Sequence, residues 1–196
     1  MPISLSKGQK ISLEKEAGKG LSRVIMGLGW DQKKSEKSGF FGGFFGGGKA
    51  IDLDGSCLMF DESKKLVDTV WFKQLRSKDG SIQHSGDDRT GGGEGDDEQI
   101  TVSLTSIPSQ VKQLIFTINS FTGQTFQSVN NAYCRIVNQS DGQEIARYNL
   151  TAGGRYTAQI MAKLYWQDGE WKMQALGEGA EGKTFHDMMP LLQAQL

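Results

Sequence analysis

Apolar and polar residues alternate along most of this chain, in short runs that turn residues interrupt. The clearest run is 99–107, where Ile100, Val102 and Leu104 alternate with residues that carry hydroxyl groups. Because successive side chains of a strand point to opposite faces, this pattern predicts a strand with one buried face. We predict further strands at 21–30, 51–60, 66–72, 111–121, 125–137, 144–150, 156–166 and 171–176.

Turns rather than helices join these runs. Asp79-Gly80 and Asp168-Gly169 are strong hairpin signals, and Asp141-Gly142 turns the chain between two runs. About ten short strands at regular spacing, connected in this way, are typical of a β-sandwich. The predicted fold class is therefore all-β, as a two-sheet β-sandwich.

The two ends of the chain carry weaker patterns. Residues 3–5 and 11–13 alternate around Lys7-Gly8, which predicts a hairpin of two short strands followed by a charged loop at 14–20. Residues 184–196 predict a short C-terminal helix, with Thr184 as its N-cap and Asp187 at the third position. Pro190 falls inside that helix and disturbs its first turn.

Composition supports one large β domain over residues 1–196. The chain has 26 Gly against 3 Pro, which suits many turns and glycine loops, and 37% of its residues are hydrophobic. The segment 33–49 is an exception, because it is basic and then rich in phenylalanine and glycine. We interpret it as an inserted flexible loop, whose phenylalanines either fold back onto the body or dip into a membrane surface or partner groove.

Several classes of function are disfavoured. The net charge is −1 and no basic–aromatic stripe is present, so nucleic-acid binding is not expected. Cys57 and Cys134 lack metal-ligand spacing; they could form one long-range disulfide, but we expect two reduced core thiols. We see neither a signal peptide nor an apolar run long enough to span a membrane, so we expect a cytoplasmic protein.

The segment 84–99 concentrates negative charge. It holds six carboxylates against one cation, Arg89, and four glycines separate its two acidic clusters. At an effective dielectric constant of 20, two like charges roughly 5 Å apart cost about 3 kcal/mol before screening. Either this loop stays splayed in water or a cation holds it closed, and we favour a divalent cation, calcium. The six carboxylates belong to Asp87, Asp88, Glu94, Asp96, Asp97 and Glu98.

Other acidic residues are expected at the same place. Asp52 and Asp54 begin a predicted strand, and Asp31 ends the strand on the other side of the inserted loop. We therefore expect the two strand ends to lie at one rim of the sandwich, together with the acidic loop. Such a rim offers the oxygen ligands that calcium prefers, enough for one or two ions.

Alternative chemistries fit less well. Residues 87–98 have the length of an EF-hand loop, but Arg89 and Gly91 occupy positions that must supply ligands. Zinc is not expected without a His/Cys cluster, and magnesium prefers fewer protein ligands. His84 and His186 have no Ser or Cys partner at a recognisable spacing, so we do not expect nucleophilic catalysis.

Five blocks stand out in this sequence: GLGWD (27–31), DLDGSCLMFD (52–61), HSGDDRTGGGEGDDEQI (84–100), ARYNL (146–150) and GEWKMQALGEG (169–179). Together they resemble the signature blocks of the TerD family of tellurium-resistance and stress proteins. The acidic block is the most specific of them, although Asp88 stands where the family usually has Asn. The resemblance implies a calcium-binding β-sandwich with ligands at Asp31, Asp52, Asp54, Asp87, Asp88, Asp96, Asp97 and Glu98.

The resemblance also implies a role. The family is linked to resistance to tellurite and other stresses without an established reaction, and its members are thought to work with cytosolic and membrane-embedded proteins. We therefore expect a non-enzymatic, calcium-responsive binding module in the cytoplasm or at the inner face of the membrane. Two alternatives stay open. One is a binder or metal-assisted hydrolase of a phosphorylated small molecule, with a deep pocket near His84. The other is a peripheral membrane module led by the phenylalanines of 33–49.

Overall fold

A computed structural model describes residues 1–18, 20–32, 52–86, 95–150 and 154–196 of the chain. These residues form two six-stranded sheets, in the orders β1-β10-β9-β3-β7-β6 and β2-β12-β11-β8-β4-β5. The strands are β1 (Ile3–Ser4), β2 (Lys10–Ser12), β3 (Arg23–Gln32), β4 (Leu53–Asp61), β5 (Leu66–Val70), β6 (Ile82–His84), β7 (Glu98–Ser103), β8 (Val111–Ser120), β9 (Val129–Asn138), β10 (Glu144–Asn149), β11 (Ala158–Gln167) and β12 (Glu170–Ala180).

The main core lies between the inner faces of the two sheets. On β7, Ile100 and Val102 are fully buried, while the intervening Thr101 is half-buried on the outer face. The predicted all-β, two-sheet sandwich is therefore confirmed. The hairpin at Asp168-Gly169 is confirmed as well, with φ angles of 56° and 82° and a register that pairs Gln167 with Glu170.

The predicted N-terminal hairpin is wrong. β1 pairs in parallel with β10, whereas β2 pairs antiparallel with β12 in the other sheet. The chain thus crosses from one sheet to the other between residues 4 and 10. The predicted loop at 14–20 is also wrong in part, because a short helix α1 (Leu13–Ala17) begins after Ser12, whose hydroxyl accepts the N–H of Lys15.

Several strands are shorter than predicted. The run 99–107 leaves the sheet early, because residues 104–106 form a 3₁₀ turn, and 126–128 form another turn before β9. The C-terminal helix is confirmed in a shorter form, as a 3₁₀ turn at 185–188 and α2 (Met189–Gln193). Pro190 lies in the first turn of α2, where its missing N–H costs nothing.

The C-terminal segment covers the outer face of the second sheet. Phe185, Met188 and Leu192 are buried there against Leu58 and Ile160 and form a second apolar cluster. Cys57 and Cys134 are both buried free thiols, as predicted, and burial raises the pKa of each. No helix in the described ranges is both long and apolar enough to cross a membrane. The predicted insertion 33–49 lies outside the described residues.

Candidate cation-binding rim

Three acidic segments meet at one end of the sandwich, which we call the acidic rim. It consists of the end of β3 (30–31), the start of β4 (52–55) and the residues that lead into β7 (96–98). β3 and β7 are neighbours in one sheet, with Leu28 opposite Glu98. β4 belongs to the other sheet, where Leu53 lies opposite Ser120 at the end of β8.

Asp97 connects the acidic loop to the end of β3. Its carboxylate Oδ2 accepts the backbone N–H of Trp30 at 2.7 Å, and its own N–H donates to the carbonyl of Leu28 at 2.8 Å. The segment before β7 therefore continues alongside β3 and brings Asp97 close to Asp31. One backbone bond does not exhaust the acceptor capacity of a carboxylate, which has about four lone-pair positions.

Glu98 connects the two sheets. It is 1% exposed, and its Oε2 accepts the backbone N–H of Gly55 on β4 at 2.7 Å. The same oxygen lies 3.3 Å from Nε2 of His84, which is also buried. Nδ1 of His84 accepts the N–H of Gly86 at 3.0 Å, which leaves Nε2 as the donor nitrogen of the ring, and Nε2 forms no hydrogen bond with the described residues.

The other predicted ligands of the rim differ in exposure. Asp54 is 6% exposed beside Gly55, Asp52 is half-buried, and Asp31 is exposed. Asp31 Oδ2 accepts an amide hydrogen from Asn131 at 2.7 Å. The carbonyl of Asp52 accepts the N–H of Phe121, which fixes the start of β4 to the end of β8. Exposure thus rises across the rim from Glu98 and Asp54 towards Asp31.

Asp96 turns away from this group. Its carboxylate lies on the outer face of the first sheet, where it forms a two-pronged ion pair with Arg135 at 2.7 and 3.0 Å. The hydroxyl of Tyr133 and the amide of Gln99 also donate to it, at 3.0 and 3.1 Å. A side-chain carbon at position 27 would collide with this carboxylate, so Gly27 is required there.

Arg135 also belongs to a wider charge network on this face. It donates to Glu144, which in turn accepts two bonds from Arg147. The hydrogen bonds that Arg135 donates to Asp96 raise the pKa of Arg135, and those that Glu144 accepts from Arg147 lower the pKa of Glu144. Burial, followed by the charge of Asp96, raises the pKa of Tyr133 to about 12. These groups therefore stay ionised, or in the case of Tyr133 protonated, at neutral pH, and Asp96 has a structural partner.

The donor atoms of the rim suit a hard cation such as calcium. The residues that the structure describes do not supply a complete set of ligands for it. Every candidate ligand atom is oxygen, as calcium requires, and calcium takes six to eight of them. Among the residues that the structure describes, no three His, Cys, Asp or Glu side chains form a group that could hold a metal ion. Asp87 and Asp88, which we predicted as ligands, lie outside those residues. The predicted ligand set therefore stays a prediction.

A cavity of about 700 Å³ opens beside the rim. Asp31, Asn131, Tyr133, Arg147 and Asn149 are among its lining residues, and the Arg147 guanidinium lies 4.0 Å above the Tyr133 ring. His84 is not in its lining, although the phosphorylated-ligand alternative predicts a titratable group such as His84 there.

Sequence reasoning missed Arg135, Tyr133 and Gly55. The alternating glycines 27 and 29 were the signal that large side chains lie across this face.

Comparison with known proteins agrees with the family resemblance of the sequence blocks. Residues 1–189 match the family model described as TerD domain. The chain is 47% identical to tellurium resistance protein TerZ of Serratia marcescens, over 95% of this chain and 94% of that protein. It is 41% identical to stress response protein SCP2 of Bacillus subtilis, over 96% and 98% of the two chains. A solved homologue of telluride resistance protein (TerD), SCO6318 from Streptomyces coelicolor, shares its fold at a TM-score of 0.64 and 22% identity, over 87% of this chain and 98% of that one.

Proposed function

This chain belongs to the TerD domain family of tellurium-resistance and stress-response proteins, and on that basis we propose that it is a calcium-binding, non-enzymatic module that acts through partner proteins. The observation that supports the proposal is the meeting of three acidic segments at one end of the sandwich. In this proposal the protein acts in the cytoplasm or at the inner face of the membrane.

The proposed ligands are carboxylates of the three segments that form the rim. Asp31, Asp52, Asp54, Asp97 and Glu98 come from three segments of the chain, and Asp87 and Asp88 complete the set. We leave Asp96 out, because binding a metal there would mean giving up its ion pair with Arg135. Asp97 and Glu98 also hold the segments in place through their bonds to the backbone of Trp30 and Gly55.

A bound calcium ion supplies positive charge that offsets the repulsion between these carboxylates. Its effect on the chain is to lower the cost of holding the three segments together. The resulting change in charge and order at the rim is the signal that we propose a partner protein recognises. The names of the relatives refer to resistance and stress response, and none of them describes a reaction.

Calorimetry with calcium tests the proposal. We expect calcium to bind with a measurable heat and to raise the melting temperature. At a free calcium concentration 100 times the dissociation constant, binding stabilises the fold by about 2.7 kcal/mol, which for a chain of this length corresponds to about 5–10 °C. Excess chelator should reverse the shift. No heat and no shift at millimolar calcium would contradict the proposal.

Asp54→Asn and Asp168→Asn form a matched pair for this experiment. Both changes remove one carboxylate charge, but Asp168 lies in the hairpin between β11 and β12, at the opposite end of the sandwich. Asparagine tolerates the positive φ of position 168. We expect Asp54→Asn to weaken calcium binding at least tenfold and Asp168→Asn to leave it unchanged. Equal effects of the two changes would point to general charge screening instead of a site.

A further inference from the structure

A second polar groove lies on the outer face of the first sheet. One of its lining residues, His84, also faces Glu98 of the acidic rim. Its volume is about 360 Å³, and β3, β6, β7 and the turn before β6 form its walls. Two arginines line it, Arg23 and Arg76, and no aspartate or glutamate is among the lining residues that the structure describes. The other side chains that line it are mostly neutral hydrogen-bonding groups, among them Ser81, Gln83, Thr101 and Ser103.

The two arginines are not neutralised by acidic partners in the described part of the chain. Arg23 donates from Nε to the hydroxyl of Ser103 at 3.0 Å, and neither arginine forms a salt bridge there. The Arg76 guanidinium lies over the backbone of Gly80, in the turn that leads into β6. The chain as a whole carries 23 acidic and 22 basic residues, whereas the described lining of this groove holds two guanidinium groups and no carboxylate.

Asp79 and Asp141 in the adjacent turns form hydrogen bonds with neutral groups and form no salt bridge with the described arginines. Asp79 Oδ1 accepts the N–H of Ser81 at 2.7 Å, and Asp141 accepts from Gln143 at 2.9 Å and from Asn138 at 3.1 Å. Each carboxylate is thus bonded within its own turn. Neither Asp79 nor Asp141 is part of the groove lining.

Ser81 provides an independent observation. It is 2% exposed, lies in the groove wall, and its hydroxyl has no hydrogen-bond partner among the described residues. Buried hydroxyl groups in folded proteins are nearly always hydrogen-bonded, so an unsatisfied one calls for an explanation. A ligand with acceptor oxygens would supply the missing partner.

We propose that this groove binds an oxyanion of the phosphate type, held by Arg23 and Arg76 with hydroxyl donors from the sheet. The planar guanidinium group presents paired N–H donors that match the oxygens of such an anion. The oxyanion is either a free ion or the phosphoryl group of a larger molecule. None of the proposed calcium ligands that the structure describes lines the groove, and the binding experiments are done in chelator so that they do not depend on calcium.

Titration with inorganic phosphate and with adenosine 5′-monophosphate tests the proposal. Both titrations are done by calorimetry in chelator and at low salt, where charge interactions are least screened. We expect phosphate to bind the wild-type chain, and Arg76→Gln to raise its dissociation constant about tenfold or more. Tighter binding of the nucleotide than of phosphate would assign the groove to a phosphoryl group. Binding of phosphate alone would assign it to the free ion.

Three further variants make the result specific. Arg155→Gln removes an exposed arginine that does not line the groove, and it should leave binding unchanged. Arg76→Lys keeps the charge but loses the paired donors, so it should bind more weakly than wild type. Ser81→Ala should weaken binding without lowering the melting temperature, since the hydroxyl has no partner within the described fold.

The proposal would be overturned if neither probe bound at millimolar concentration, or if Arg155→Gln lost as much affinity as Arg76→Gln. Calcium binding by Arg76→Gln, measured separately, reports on the rim alone.

Discussion

Glu98→Ala is expected to lower the free energy of unfolding by about 3 kcal/mol, even with all metal chelated. The reason is the position of Glu98 between the sheets, where Oε2 accepts the N–H of Gly55 and faces Nε2–H of His84. Truncation leaves the buried N–H of Gly55 without its acceptor, and an unsatisfied buried group costs about 1–3 kcal/mol. The loss of the side chain also opens a cavity.

Urea unfolding in chelator measures this effect. Glu98→Gln is the matched variant, because it keeps the size and one acceptor oxygen while it removes the charge. We expect its free energy of unfolding to lie close to that of the wild type in chelator, while its response to calcium is reduced. Glu62→Ala, at an exposed turn position after β4, should change the stability by no more than about 0.5 kcal/mol. If Glu98→Ala were as stable as the wild type, the bond between Glu98 and Gly55 would contribute nothing to the free energy of unfolding.

Arg135→Ala is expected to have a similarly large effect, of about 3 kcal/mol or more. The Asp96 side chain is 1% exposed, and Arg135 supplies both of its charged hydrogen bonds. Without the guanidinium, a buried carboxylate keeps only the neutral donors of Tyr133 and Gln99. An uncompensated buried charge is among the most destabilising changes that a single substitution produces.

The double variant Arg135→Ala/Asp96→Asn separates the charge from the packing. Removing the carboxylate charge should recover part of the stability lost in Arg135→Ala, because the unpaired charge is then absent. Arg155→Ala is the exposed-arginine control and should unfold like the wild type. Additive losses in the double variant would contradict a direct pairing of the two side chains.

The alternation of apolar and polar residues was sufficient to predict the sandwich, because each strand has one face in the core. It was not sufficient at the N-terminus. β1 and β2 are too short to specify a partner, and both pair with strands near the other end of the chain, β10 and β12. The helix at 13–17 escaped prediction because its apolar residue Leu13 also fits the preceding strand pattern.

The meeting of the acidic segments could be predicted because Asp31 and Asp52 flank one insertion and so lie at the same end of their strands. The separation of Asp96 from Asp97 and Glu98 could not. It depends on Arg135, whose position opposite Gly27 is set by the pairing of β3 with β9. The oxyanion groove is a further case, since Arg23 and Arg76 are brought together only by the pairing of β3, β7 and β6.

A crystal structure determined in the presence of calcium tests the central claim most directly. The account predicts an ion at the acidic rim, with oxygens of Asp31, Asp52, Asp54, Asp97 or Glu98 within about 2.6 Å of it, and with Asp96 still paired to Arg135. A rim without an ion at millimolar calcium, or an ion bound through Asp96 instead of these carboxylates, would contradict it.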